Sequence, residues 1–191
     1  MLTVLVIDES RSRAGEICAG LALAGYQVAA ILAGSENLTA EVEKLQPDVI
    51  LIDTDSPSRD TLENLAAMHK DMPRPVVIFT QEDGQATIRD AVRAGVSAYV
   101  VDGLDPKRIK PIVEVARARF EDTQALRREL DEISQKLSDR KLVDKAKGVL
   151  MKARGLDEDA AYHAMRKLAM ERGQTMAKVA RDVIDMARVL L

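Results

Sequence analysis

Apolar positions in the first 120 residues fall into short unbroken runs, at 2–7, 27–31, 49–52, 76–79 and 98–101. Most of these runs are rich in Val and Ile and too short for helices, which predicts strands buried on both faces. Between them apolar residues recur in helical steps: Ala14, Ile17 and Leu21; Leu38, Val42 and Leu45; Leu62, Leu65 and Ala66; Ile88, Ala91 and Val92. Ile109, Ile112, Val113 and Ala116 continue the pattern after the last run. Five strand–helix units in series predict an α/β domain built on a five-stranded parallel, doubly wound sheet.

The pattern then stays helical. No Gly or Pro occurs between Ile112 and Lys147, so one long helix is expected to leave the α/β domain and carry on. Thr123, Leu126, Leu130, Ile133 and Leu137 alternate in steps of three and four, the spacing of a coiled-coil seam. That seam predicts a homodimer; the alternative is a helix packing on its own domain.

The last fifty residues carry three amphipathic stretches. Their apolar positions are Leu142, Ala146, Val149, Leu150 and Ala153; then Ala161, Met165, Leu168 and Ala169; then Met176, Val179, Ala180, Val183, Ile184 and Ala187. Gly155 and Gly173 follow the first two stretches, where helices end, and Asp157 and Thr175 stand where N-caps are expected. Three short helices around a small shared core are predicted. The expected division is therefore 1–120, 121–139 and 140–191.

Charge sharpens this division. Residues 1–122 hold 13 Lys and Arg against 20 Asp and Glu, whereas residues 139–191 hold 12 against 8. A basic end attached to an acidic one points to a polyanion-binding tail. No stretch approaches a membrane span, the first residues lack a signal-peptide pattern, and a single cysteine, Cys18, excludes an internal disulfide. A cytoplasmic protein is expected.

In doubly wound sheets the working residues lie just beyond the strand C-termini. Asp8 and Glu9 end the first run, Asp53 the third and Thr80 the fourth. Acids converging there repel unless a cation neutralises them, and hard oxygen ligands suit Mg²⁺. Singly, each acid is equally well read as a helix cap. Together with Pro57, four residues after Asp53, and Tyr99 on the fifth run, the set resembles the receiver domain of bacterial response regulators, which is receiver-like and flavodoxin-like in fold. The resemblance implies Asp53 as phosphoacceptor, with Asp8, Glu9, Asp53 and the backbone carbonyl of Asp55 around Mg²⁺. It implies that Thr80 hydrogen-bonds the phosphoryl group and that Tyr99 acts as an aromatic switch. One position departs from the pattern: receivers carry a lysine after the fifth strand, and here that position is Asp102.

The C-terminal pattern of AKGVLM, AYHAMRKLA and VARDVI resembles the ANTAR domain of transcription antitermination regulators, and the whole chain resembles the NasT type that controls nitrate and nitrite assimilation genes. This resemblance implies binding to RNA hairpin loops in leader transcripts. Lys141, Lys145 and Lys152 lie near one helical face beside Gly148, a small residue that permits close approach of a phosphate backbone. Tyr162 offers a π-face to an unstacked base, or else packs in the core. The candidate RNA-binding residues are Lys141, Lys145, Lys147, Gly148, Met151, Tyr162, Arg166 and Lys167. Expected partners are leader RNA, a second copy of the chain, and a sensor protein, either a kinase or a nitrate-binding type. No residue in this half reads as a catalyst. Alternatives are a DNA-binding response regulator and a phosphatase-like enzyme using Asp53 as nucleophile and Asp55 as acid/base.

Overall fold

The computed structural model describes residues 1–9, 13–101, 103 and 105–190, with side chains to residue 188. Five strands, β1 (Thr3–Asp8), β2 (Gln27–Leu32), β3 (Val49–Asp53), β4 (Val76–Thr80) and β5 (Ala98–Val101), form one parallel sheet in the order β2-β1-β3-β4-β5. The helices between them are α1 (Ala14–Leu23), α2 (Leu38–Leu45), α3 (Arg59–Asp71) and α4 (Gln85–Arg93). The runs of β1, β3 and β4 are buried on both faces as expected, whereas the edge strands β2 and β5 are only partly buried. Alternate strand residues enter two separate cores. Leu5, Ile7, Ile50, Ile52 and Ile78 pack with Leu38, Val42, Leu65 and Met68 on one side. Val4, Val6, Leu51, Val77 and Phe79 pack with Ile17, Leu21, Ile109 and Val113 on the other. At roughly 1.5–3 kcal/mol per fully buried large aliphatic or aromatic side chain, these two layers dominate the stability of the domain.

The order of strands puts a switch point between β1 and β3, whose chains leave the sheet toward opposite faces. Asp8 and Asp53 are register partners there, and Thr80 ends the next strand.

Helix α5 (Pro106–Arg154) runs unbroken for 49 residues. The first of the three C-terminal helices is thus the end of α5 rather than a short separate element, because no Gly or Pro stands between Ile112 and Lys147 and the helix continues through Gly148 to Arg154. Two helices follow, α6 (Glu158–Arg172) and α7 (Met176–Leu190). Gly155 and Gly173 adopt φ of +64° and +61°, the left-handed conformation that stops a helix cheaply only at glycine. The Asp157 carboxylate accepts the Ala160 N–H at 2.7 Å and the Thr175 hydroxyl accepts the Lys178 N–H at 3.2 Å, so both expected caps form.

Contacts divide the chain into two compact units, 1–124 and 125–191. The core of the second is small: Ala146, Met165, Ala169, Val179, Ala180 and Ile184 are buried together. Val149, Ala153 and Ala187, expected in this core, instead line an apolar groove of about 420 Å³ with Leu156 and Met186. A core of mostly small side chains leaves the outer edges of the three helices uncovered. Along the seam, Leu126, Leu130, Ile133 and Leu137 are 61, 66, 54 and 54% exposed in the single chain.

Candidate functional site

Asp53 ends β3 with its side chain fully buried, and burial raises its pKa, since a carboxylate loses solvation there. Arg13 opposes that rise, while Asp8 and Asp55 add to it. The Arg13 Nε lies 2.9 Å from Asp53 Oδ2, and its Nη2 lies 3.4 Å from Asp55 Oδ1. The nearer contact is an ion pair off hydrogen-bond alignment, and neither Asp53 oxygen accepts an aligned hydrogen bond among the described residues. Among the described residues the aspartate therefore has a counter-charge but no aligned donor. Arg13 stands immediately before α1, so the element that follows β1 delivers it to the pocket.

The other pocket residues are committed elsewhere. Glu9, beyond β1, accepts the Thr54 hydroxyl at 2.7 Å through one carboxylate oxygen and the Thr61 hydroxyl at 2.9 Å through the other. Thr54 and Thr61 are both buried, and Thr61 is tied to Ser58, the N-cap of α3, by its N–H at 3.0 Å. The Asp55 carbonyl accepts from the Thr80 hydroxyl at 2.8 Å and from the Gln81 N–H at 3.2 Å. The Thr80 hydroxyl also accepts the Glu82 N–H at 3.1 Å, and the Tyr99 hydroxyl donates to the Glu82 carbonyl at 3.0 Å. Burial raises the pKa of Tyr99, so its phenol remains a donor.

These bonds engage part of the set expected to hold a metal ion. Asp8 and Asp53 meet at the switch point, but Glu9 and the Asp55 carbonyl are held by other partners, and Arg13 occupies the position of a counter-cation. No group of three or more acidic, His or Cys side chains among the described residues is arranged to hold a metal ion. As arranged, the side chains do not fit Mg²⁺, which asks for near-octahedral oxygen ligation. Asp102, the position of the absent lysine, lies outside the described residues. Arg13 was not found from the sequence; the available signal was an arginine in the loop after an acid-ending first strand, in a chain lacking the receiver lysine.

The second set of residues lies on α5 and α6. Lys141, Lys145, Gly148 and Lys152 follow one another by four, three and four positions and so share one face of α5. The three lysines are exposed and form no ion pair among the described residues. A Cβ built on Gly148 would meet nothing within 4 Å. Met151 is exposed, and Tyr162 is 41% exposed with its ring edge-on to His163 at 6.0 Å. Arg166 and Lys167 are exposed, Lys167 with Glu171 at 3.9 Å. Lys147 differs from all of these. Its side chain is 15% exposed, and its ammonium lies 2.8 Å from Asp144 and 2.7 Å from Glu158, whose hydrogen bonds raise its pKa. It fastens the first turn of α6 to α5.

A parallel 2-1-3-4-5 sheet with an aspartate at the end of β3 and a threonine at the end of β4 defines a receiver-type regulatory domain. The chain belongs to the response regulator receiver domain family, whose model matches residues 4–114. The model of the ANTAR domain matches residues 131–184. The transcriptional regulatory protein PdtaR of Mycobacterium tuberculosis is 29% identical over 161 residues, 84% of this chain and 78% of that protein. A nitrate regulatory protein of Klebsiella oxytoca is 36% identical over 75 residues, 39% of this chain and 19% of that protein. The DNA-binding response regulator MtrA of Mycolicibacterium smegmatis is 30% identical over 122 residues, 64% of this chain and 53% of that protein. Among solved structures, a CheY-like receiver domain protein from Methanospirillum hungatei aligns with a TM-score of 0.56 at 20% identity, over 64% of this chain and 98% of that one, a likeness of fold.

Proposed function

We propose that this response regulator is an RNA-binding antiterminator of the NasT type, which binds hairpin loops in leader transcripts through its C-terminal unit. The observation that carries this is Gly148. A glycine inside a helix costs about 0.5–1 kcal/mol relative to alanine, and here no neighbour among the described residues needs the space. It sits on a face of three lysines that form no ion pair among the described residues, where a phosphate backbone can come close. Tyr162 and Arg166 on α6 supply a stacking surface and a further cation, and Met151 and Lys167 complete the candidate set. Lys147 acts as a clip between α5 and α6 instead of a phosphate contact. The DNA-binding alternative fits less well, because a helix-turn-helix opens with a short helix and a tight turn, whereas α6 has 15 residues.

The test is a gel shift of leader RNA against the matching duplex DNA. Gly148→Ala should weaken RNA binding about tenfold while stabilising the fold by about 0.5–1 kcal/mol. Lys141→Ala should weaken binding and reduce the salt slope by about one. Equal affinity for RNA and duplex DNA, or no change in either variant, overturns the reading.

The receiver is held or released by a sensor protein according to that protein's own ligand, as for a nitrate-binding type, with Asp53 phosphorylation not the main switch. Its charge is met by Arg13, and Thr80 is already bonded to the Asp55 carbonyl. The chain divides functionally as 1–120, 121–139 and 140–191, with the middle segment a dimer seam. Leu130→Asp with Ile133→Asp would put charges into that seam and should yield monomers on sedimentation; monomeric unmodified protein at every concentration tried refutes the seam.

A further inference from the structure

We infer that Arg13 is the resident cation of the receiver pocket, standing where a divalent ion and the absent lysine would stand, and that a divalent cation binds only when this guanidinium is displaced. Each of its nitrogens faces a different part of the pocket. Nε meets Asp53 at 2.9 Å, and Nη2 meets Asp55 at 3.4 Å. Nη1 points toward the loop after β5, since a Cβ built on Gly103 would lie 3.6 Å from it. One side chain from the start of α1 thus reaches the ends of β3 and β5, the two places from which the pocket acids and the receiver lysine would approach one another.

The physical preference follows from the ligands. A guanidinium is always charged and weakly hydrated, so it neutralises a buried carboxylate without the dehydration that Mg²⁺ resists. A divalent ion would need Glu9 or the Asp55 carbonyl. Taking Glu9 removes its hydrogen bonds from the hydroxyls of Thr54 and Thr61, which are 3% and 2% exposed, and leaves them only the Ser56 carbonyl at 3.3 Å and the Ser58 hydroxyl at 2.9 Å. Taking the Asp55 carbonyl breaks its bond to Thr80. Arg13 requires none of these exchanges. This deepens the reading that Asp53 phosphorylation is not the main switch, and it stands or falls without reference to RNA.

The test is binding of Mn²⁺, a magnetic stand-in for Mg²⁺, to the full chain, followed by electron paramagnetic resonance and calorimetry. Arg13→Gln and Arg13→Ala should each bind Mn²⁺ at least tenfold more tightly than the unmodified protein, and adding Asp53→Asn should abolish the gain. Equal affinity in the unmodified protein and the variants overturns the inference. The unmodified protein gives an independent arm. The Arg13 Nε–H resonance should be slow to exchange, should shift on Asp53→Asn, and should stay in place on addition of millimolar Mg²⁺. A resonance that moves with saturable Mg²⁺ binding overturns the inference even if neither arginine variant folds.

Discussion

Arg13 and Lys147 are both cations held between two carboxylates, one in each unit, yet their burial is inverted. In the receiver one of the two anions is inside: Asp53 is fully buried, while the Arg13 side chain is 28% exposed and Asp55 is 80% exposed. In the C-terminal unit the cation is inside: Lys147 is 15% exposed, while Asp144 and Glu158 are 54% and 68% exposed. The same three-charge arrangement therefore does different work. Removing Arg13 strands a desolvated carboxylate that must take up a proton or lose stability. Removing Lys147 leaves two acids that water already solvates, so the consequence is geometric, a looser join between α5 and α6.

The largest effect should come from the receiver. Arg13→Gln should lower stability at neutral pH by about 2 kcal/mol in urea unfolding, as expected for breaking one side of a partly buried pair. The pH dependence has a definite sign. Because burial raises the pKa of Asp53, the folded protein holds that proton to higher pH than the unfolded chain. Stability from this group is thus present below about pH 4 and is lost as pH rises through the folded value. Arg13→Gln should steepen the loss. Asp53→Asn should remove it, so the variant gains most over the unmodified protein near pH 7 and least in acid. A stability difference independent of pH would break the comparison on the receiver side.

A smaller effect tests the clip. Asp144→Asn combined with Glu158→Gln releases Lys147. A phosphate-contacting lysine would then bind RNA more tightly, whereas a clip would fail to hold α6. We expect RNA affinity to fall about threefold with an unchanged salt slope, and Lys147→Met to behave alike, small effects in keeping with exposed partners. Tighter binding by the double variant would return Lys147 to the RNA face.

Much of this architecture was legible because local signals agreed. The runs at 49–52 and 76–79 became central strands, the strand-end acids reached the switch point, and Gly155, Asp157, Gly173 and Thr175 ended or began helices where their chemistry allows. What escaped was pairing across the fold. Periodicity places Glu9 beside Asp8 but cannot tell that Thr54 and Thr61 will claim both of its oxygens. Helical spacing offsets Lys147 from Lys141 and Lys145 but gives no hint of Glu158, eleven residues on and across a turn. Arg13 is the sharpest case, since its role depends on three strand ends assembled from distant parts of the chain. The core of the C-terminal unit misled for a different reason: amphipathic spacing marks one face of each helix, and with Ala146, Ala169 and Ala180 at its centre the buried zone is too narrow to cover Val149 and Ala153.

The exposed seam side chains of α5 have a consequence at the level of the cell. If Leu126, Leu130, Ile133 and Leu137 are covered only by a second copy, the number of chains present becomes part of the input. Below the dimer dissociation constant the concentration of paired chains rises as the square of expression, so a twofold change in synthesis would alter the supply of dimers by about fourfold. Such a regulator would read its own dosage along with its inducing signal, and a strain making too little of it would fail to respond even with every binding residue intact.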